Sequence, residues 1–272
     1  MSMYVYNKAM AIQDLIRESR KIVFKFGSNT LATREGRINS AFLGEFASQT
    51  ADLISKGKQV VIVSSGAQVA GLSTMDKWAR KKDIHYRQAL CAVGQVQLME
   101  AWRGAFEPHG YHIAQILLTR DDFNDPVRTL NMRNTLFTLV DEGVIPVINE
   151  NDTVSVEEIK IGENDTLAAQ SAILWSADLL VLFSDIDGLF TRNPKEHPGA
   201  ELVEEVRDID QARKNVDIGA VSNFGTGGIA TKLNAAQLAL SYGIPTVLAH
   251  GGRPRCLEAL AAGTQKGTVF LT

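Results

Sequence analysis

Cysteine is scarce in this chain: Cys91 and Cys256 are the two among 272 residues, far apart and each in apolar surroundings. That excludes a disulfide scaffold and points to buried free thiols in a reducing cytosol. Proline is limited to 7 residues, and no repeat, low-complexity or linker-like run is found; with 45% hydrophobic and 22% charged residues, disorder and collagen-like structure are excluded. An excess of one charge is also missing, because 28 basic residues stand against 31 acidic ones, a net charge of -3. No global field draws in nucleic acid or a membrane surface, so any phosphate site has to be local. Long hydrophobic runs are absent too, the strand-like stretch 179–183 falling far short of the ~20 residues of a membrane helix. Residues 1–20 lack a charged start, apolar run and cleavage site, and read as a short extension with an amphipathic helix around Ile12, Leu15 and Ile16. A cytoplasmic protein is expected.

What is present is alternation. Apolar runs rich in β-branched residues at 22–26, 60–63, 113–118, 144–148, 179–183 and 246–248 read as strands buried on both faces. Helical patterns lie between them. The clearest puts Phe42, Leu43, Phe46, Ala47, Leu53 and Ile54 on one face, with Asn39 as N-cap and Gly57 just past the end. Others fall at 89–102, 130–140, 167–175 and 233–242. Strand and helix in turn imply right-handed crossovers and a mainly parallel sheet between two helical layers, a three-layer αβα sandwich of the α/β class. Residues 1–272 are read as one domain. The stretch 153–161, with Val154, Val156 and Ile159 separated by polar residues, reads as a hairpin projecting from the rim.

Open α/β sheets bind ligands at the carboxyl ends of their strands, so the polar residues there carry the functional question. Lys25 lies in Val23-Phe24-Lys25-Phe26-Gly27-Ser28-Asn29. A solvated edge lysine is one reading, but its neighbours are those of a buried strand, and Gly27 and Ser28 bring backbone N–H groups near the ammonium, a setting suited to phosphate. The spacing G-x-x-x-x-G-K-[ST] of a Walker loop is nowhere in the chain. The second strand runs into Ser64-Ser65-Gly66-Ala67. A nucleophile elbow would need Gly where Ile62 or Val63 stands, so Ser65 is not read as a nucleophile. A plain turn remains open beside a site where backbone amides meet a substrate carboxylate.

The densest polar stretch is Asn149-Glu150-Asn151-Asp152-Thr153, followed by Gly162-Glu163-Asn164-Asp165. Taken singly these are turn and cap residues, with Asn164 a plausible cap for the next helix. Taken together they gather on the rim with Lys25 and Ser65, which suits Asp165 as partner of Lys25 and leaves Asp152 for a substrate amine. Ser184 and Asp185 end the fifth strand in position for a ligand, while Asp187-Gly188 signals a local turn. Gly225, Gly227 and Ala230 satisfy a relaxed dinucleotide pattern, so a nicotinamide enzyme is a rival reading. No clear strand leads into that loop, and Pro245 stands where an acidic ribose ligand belongs. An anion-binding helix start with Lys232 one turn in fits better. His85, His109, His112, His197 and His250 show no ligand spacing, so no protein metal site is expected and His112 is read as a rim or packing residue.

The ordered set Lys25-Phe26-Gly27-Ser28, Ser64-Ser65-Gly66-Ala67, Leu117-Leu118-Thr119-Arg120, Ile148-Asn149-Glu150-Asn151-Asp152, Gly162-Glu163-Asn164-Asp165 and Gly225-Thr226-Gly227-Gly228-Ile229-Ala230-Thr231-Lys232 resembles the glutamate 5-kinases of the amino acid kinase superfamily. The resemblance covers the chain from about residue 20 to the end. It implies ATP-dependent phosphorylation of the γ-carboxylate of L-glutamate at the start of proline biosynthesis. By resemblance, Lys25 and Lys232 stabilise the transferred phosphoryl group and Asp165 orients them. Ser65, Gly66, Ala67, Asp152 and Asn164 match glutamate-binding positions. Lys25, Gly27, Ser28, Ser184, Asp185, Thr226, Gly227, Gly228, Ile229, Ala230, Thr231 and Lys232 match the nucleotide and phosphate positions. Mg²⁺ is expected on the ATP phosphates without a protein ligand. A homo-oligomer, feedback inhibition by proline, a mobile lid over 68–87 and hand-off to a γ-glutamyl phosphate reductase are family expectations. A C-terminal PUA domain, and RNA binding through it, are not expected. Glu163, Ser184 and Asn193-Pro194 depart from the usual Asp, Thr and Asp-Pro. A related kinase with another acceptor and a silent amino-acid sensor are the alternatives. The chemistry suits a site without histidine, because a glutamate carboxylate with a pKa near ~4.3 is already ionised and needs no general base.

Overall fold

The computed structural model describes residues 11–75, 83–155, 164–194, 196–215 and 228–272. In chain order its elements are α1 (Ile12–Glu18), β1 (Lys21–Phe26), α2 (Ser28–Leu31), α3 (Ser40–Ser55), β2 (Gln59–Ser64), α4 (Ala67–Met75), α5 (Ile84–Phe106), β3 (Ile113–Leu118), α6 (Pro126–Asp141), β4 (Ile145–Glu150), α7 (Asn164–Trp175) and β5 (Leu179–Ser184). They continue as β6 (Leu189–Phe190), β7 (Leu202–Val203), β8 (Glu205–Val206), α8 (Ile209–Asn215), α9 (Ile229–Leu240), β9 (Thr246–His250), α10 (Cys256–Ala261) and β10 (Gly267–Phe270). Eight strands form one sheet in the order β3-β4-β2-β1-β5-β9-β10-β8, and β6 pairs with β7 apart from it. Neighbours run parallel except β9 and β10. The chain therefore folds as the expected αβα sandwich with a mainly parallel sheet.

Strand alternation sorts the core into two layers. Along β1, Ile22, Phe24 and Phe26 face one helical layer and Val23 faces the other. The first layer is aromatic: Phe26 stacks on Phe183 with centroids 4.9 Å apart and meets Phe46 edge-on at 4.6 Å. The second is aliphatic, built from Val61, Val63, Leu180 and Leu182 against α7 and α9. Lys25 shares parity with Val23 and so projects toward α7 and α9 at the carboxyl end of the strand.

Local signals set several boundaries. Asn39 caps α3 by accepting from the Phe42 N–H, and Gly57 takes φ +84° just past its end. Asp125 accepts from Val127 and Arg128 at the start of α6, with Pro126 at its first position. One other expectation is corrected. The strand Ile113–Leu118 is not buried on both faces: it is the sheet edge, five of its six residues are half-buried or exposed, and Gln115 faces solvent. The segment 68–87, expected to be a mobile lid, carries helix at both ends. Gly71 and Gly94 let α4 and α5 meet backbone to backbone, since a Cβ on Gly94 would lie 1.8 Å from the Ala67 carbonyl oxygen and one on Gly71 1.9 Å from that of Leu90. Residues 76–82 lie outside the described residues. So does most of the expected hairpin at 153–161, whose first residues form a turn.

Candidate active site

The carboxyl ends of β1, β2, β4 and β5 converge on the start of α7. Asp165, in its first turn, is fully buried. Its Oδ1 lies 2.5 Å from Lys25 Nζ and its Oδ2 3.1 Å from Lys232 Nζ. The Thr231 hydroxyl is 2.8 Å from Oδ2 and equally 2.8 Å from the Gly228 carbonyl, one proton between two acceptors. Both lysines are themselves buried. Burial alone would drive the Asp165 carboxyl up, but the Lys232 and Lys25 ammoniums and the Lys25 and Thr231 hydrogen bonds together hold it well below the usual carboxylate range. One carboxylate thus holds two ammoniums side by side at the strand ends.

Beside this centre the site turns from charge to amides. Asn164 donates one amide hydrogen to Ser65 Oγ at 2.7 Å and the other to Asn149 Oδ1 at 2.9 Å. Asn149 in turn donates to Gln95 Oε1 at 2.9 Å. Gly66, at φ +109°, gives the turn that lets β2 pass into α4 and leaves Ser65, Gly66 and Ala67 buried at the rim. Asp152 is buried as well, and Gln88 of α5 fixes its backbone by donating to its carbonyl at 3.1 Å. Burial pushes the Asp152 carboxyl up to about 6, against the pull of a hydrogen bond from the Cys91 thiol and the charge of Arg87. Arg87 reaches across to α4, its Nε and Nη2 3.2 and 3.1 Å from Gln68 Oε1.

The sequence-derived residues divide into three groups. Lys25, Asp165 and Lys232 meet as expected, and Ser65, Gly66, Ala67, Asp152 and Asn164 lie on neighbouring strand ends and helix starts. Asn164, weighed as a helix cap, is the first residue of α7 and turns its side-chain nitrogen into the site. Gly27 precedes the single turn α2 with φ −81°, and a Cβ added there would lie 3.6 Å from Lys25 Nζ, in ordinary van der Waals contact. Gly228 precedes α9 without a side-chain cap, leaving the first N–H groups of Ile229, Ala230 and Thr231 to another acceptor. Thr231, read as a nucleotide residue, has its hydroxyl on Asp165. Ser184 is buried with its hydroxyl 3.3 Å from Asp185 Oδ1, and Asp185 is exposed. Asp187 pairs with Arg253 at 2.5 Å, a contact with a residue distant in the chain and not one within its own turn. Thr226 and Gly227 lie outside the described residues, as does Glu163, and His112 is exposed at the amino end of β3, away from the site. Asn149, Gln95, Gln88, Cys91 and Arg87 were not singled out as ligands. Among the described residues no group of three or more His, Cys, Asp or Glu could hold a metal ion. Both cysteines are buried and neither forms a disulfide, as expected.

A sheet of this order, with two lysines on one aspartate at the strand ends, defines a class that comparison with known proteins supports. The model of the amino acid kinase family matches residues 20–250, and the chain belongs to that family. Within it, the chain falls among the glutamate 5-kinases. The "Glutamate 5-kinase" of Alkaliphilus metalliredigens is 60% identical over 259 residues, which is 95% of this chain and 98% of that one. That of Geobacter sulfurreducens is 45% identical over 257 residues, 94% of this chain and 69% of the other. Two solved structures are similar in fold. An isopentenyl phosphate kinase gives a TM-score of 0.63 at 16% identity, covering 92% of this chain and 99% of its own. A UMP kinase from Ureaplasma parvum gives 0.64 at 15%, covering 94% and 100%.

Proposed function

We propose that this protein transfers the γ-phosphoryl group of ATP to the γ-carboxylate of L-glutamate, giving γ-glutamyl phosphate and ADP, the first step of proline biosynthesis. One observation carries the reading: two consecutive residues face two different groups of partners. Asn164 addresses the amide-lined pocket with Ser65, and Asp165 holds Lys25 and Lys232. The acceptor carboxylate is thereby set beside the phosphoryl group it attacks. A carboxylate oxygen forms the new P–O bond, the bond to the bridging oxygen of ADP breaks, and no proton has to be moved. Two anions must approach, so the lysines and the uncapped start of α9 supply the opposing charge and donors.

The substrate assignment follows the same division. Lys25, Gly27, Ser28, Ser184, Asp185 and residues 226–232 hold ATP. Ser65, Gly66, Ala67, Asp152 and Asn164 hold glutamate, with Asp152 facing its ammonium. Magnesium enters on the ATP phosphates and supplies charge neutralisation there. Both oxygens of Asp165 are engaged by ammoniums, so that carboxylate is not a ligand for it. Free buried thiols favour a cytoplasmic enzyme, and no helix among the described residues is long and apolar enough to cross a membrane. The chain works as one kinase domain. Exposed Val127 and Leu130 beside the edge strand favour a homo-oligomer. A pocket built for an α-amino acid also suits proline as a competing inhibitor, and a labile acyl phosphate suits hand-off to a reductase.

The test is incubation with Mg-ATP and, separately, L-glutamate, N-acetylglutamate, L-aspartate and bicarbonate with ammonia, following ADP release and trapping acyl phosphate with hydroxylamine. ADP and a hydroxamate with L-glutamate alone are expected. Turnover with a different acceptor, or with none, overturns the proposal.

A further inference from the structure

The hydrogen bonds of the amide-lined pocket form a chain that ends at Gln95. Asn164 uses both amide hydrogens, on Ser65 Oγ and Asn149 Oδ1, so any substrate group that Asn164 meets must itself be a donor. Ser65 Oγ accepts from Asn164, so the Ser65 proton is directed to an acceptor. Asn149 can offer its oxygen to Asn164 because its nitrogen has an acceptor behind it, Gln95 Oε1 at 2.9 Å. Gln95 is itself buried, and among the described residues its Nε2 has no hydrogen-bond partner. A buried amide left with an unpaired N–H carries a cost that turning the amide over could relieve. Turning it would set Nε2 against Asn149 Nδ2, donor against donor, and reverse the chain.

We propose that Gln95 is a positioning residue that fixes the donor–acceptor direction of the chain Gln95–Asn149–Asn164–Ser65, so that the pocket presents an acceptor to the substrate's ammonium. The inference rests on the glutamate reading above and adds its selectivity: the pocket recognises an α-amino acid by which end of each amide faces it. Gln95 does this from α5, on the face that also carries Gln88 and Cys91 against Asp152. One helix face thus aligns both groups that meet the ammonium.

The experiment compares Gln95→Met, which removes the acceptor, with Gln95→Glu, which keeps one. The readouts are kcat, the KM values for L-glutamate and ATP, and the inhibition constant of glutarate, which lacks the amine. Gln95→Met should raise the glutamate KM about tenfold, the scale of one lost buried hydrogen bond, while kcat, the ATP KM and the glutarate inhibition constant stay near wild type. Gln95→Glu should return the glutamate KM toward wild type. Equal weakening of glutamate and glutarate would mean general damage to the pocket and overturns the proposal. If Gln95→Met does not fold, Gln95→Glu decides alone, and a glutamate KM raised as far as tenfold in it overturns the proposal. If the wild-type protein shows no glutamate-dependent ADP release, the underlying glutamate reading fails first and this assignment with it.

Discussion

Two buried aspartates, thirteen positions apart, face opposite fates in the same site. Asp165 gives each oxygen to a lysine and is held far below its ordinary range. Asp152 is offset by a thiol and by the field of Arg87, and burial raises it to about 6. The first arrangement is complete before any substrate arrives: the charge proposed to meet ATP is prepared inside the protein. The second is incomplete, and an ammonium from the substrate would finish it. A kinase that joins two anions benefits from this asymmetry, because rigid positive charge is needed at the phosphoryl group while the acceptor pocket must reward an amino acid for binding.

The comparison breaks most visibly at its strongest point. Asp165→Asn strips the counter-charge from two buried ammoniums, and breaking such a pair costs ~3–5 kcal/mol. Denaturant unfolding at neutral pH should show that loss, and glutamate-dependent ADP release should vanish. Because the folded carboxyl is depressed, its stabilising contribution is present above the ordinary carboxylate range and is lost as pH falls through and below it. Equal stability of Asp165→Asn and wild type would mean the cluster is not held by this carboxylate. Next in size is Lys232→Ala. Losing one charge-stabilising donor should lower kcat by about 10²–10³ with the glutamate KM nearly unchanged, and a selective rise in that KM would place Lys232 in the wrong half.

How much of this was legible in the sequence depends on burial. The run 22–26 declares itself as a strand because it is apolar on both faces, and the rule that ligands gather at strand ends then brings Lys25 to Asp165. The edge strand at 113–118 carries the same apolar signal but reports none of its exposure, which is set by sheet order. α4 escaped notice because Ala67-Gln68-Val69-Ala70-Gly71-Leu72 shows no apolar stripe; its packing relies on small residues meeting the backbone of α5. Gln95 gives no signal, for a different reason. A glutamine in a helix reads as a solvated helix former, and its buried role becomes visible once α5 lies against β4.

The glycine contact gives a prediction of intermediate size. A methyl group on Gly94 meets the Ala67 carbonyl oxygen at 1.8 Å and the Gly71 nitrogen at 2.2 Å, backbone atoms that cannot swing away. Gly94→Ala should cost ~1–3 kcal/mol of stability, the range for overpacking, read as a lower thermal midpoint. It should also raise the glutamate KM more than the ATP KM, because Ala67 begins the helix that is pushed while Lys25 and Lys232 lie elsewhere. Equal effects on both substrates would mean that the two halves are mechanically joined.

The last effect is the most diagnostic, and its first reading needs no substitution. With Asp152 at about 6, the wild-type glutamate KM should be flat above neutrality and climb as pH falls through that value, approaching about tenfold per unit. kcat should not follow, because Asp165 stays ionised across the same range. Stability runs the other way. A carboxyl whose folded pKa is raised contributes stability at low pH that is lost as pH rises through about 6. Asp152→Asn should therefore unfold at a higher temperature than wild type at pH 7.5, by up to roughly 3 kcal/mol, and lose that advantage below the ordinary aspartate range. The same variant should bind glutamate weakly at every pH, near the wild-type acid limit. A stabilised but weakly binding variant would show that the ionised Asp152 is kept for the substrate at the fold's expense; a variant both destabilised and weak would make Asp152 a structural acid, and the contrast with Asp165 would fall.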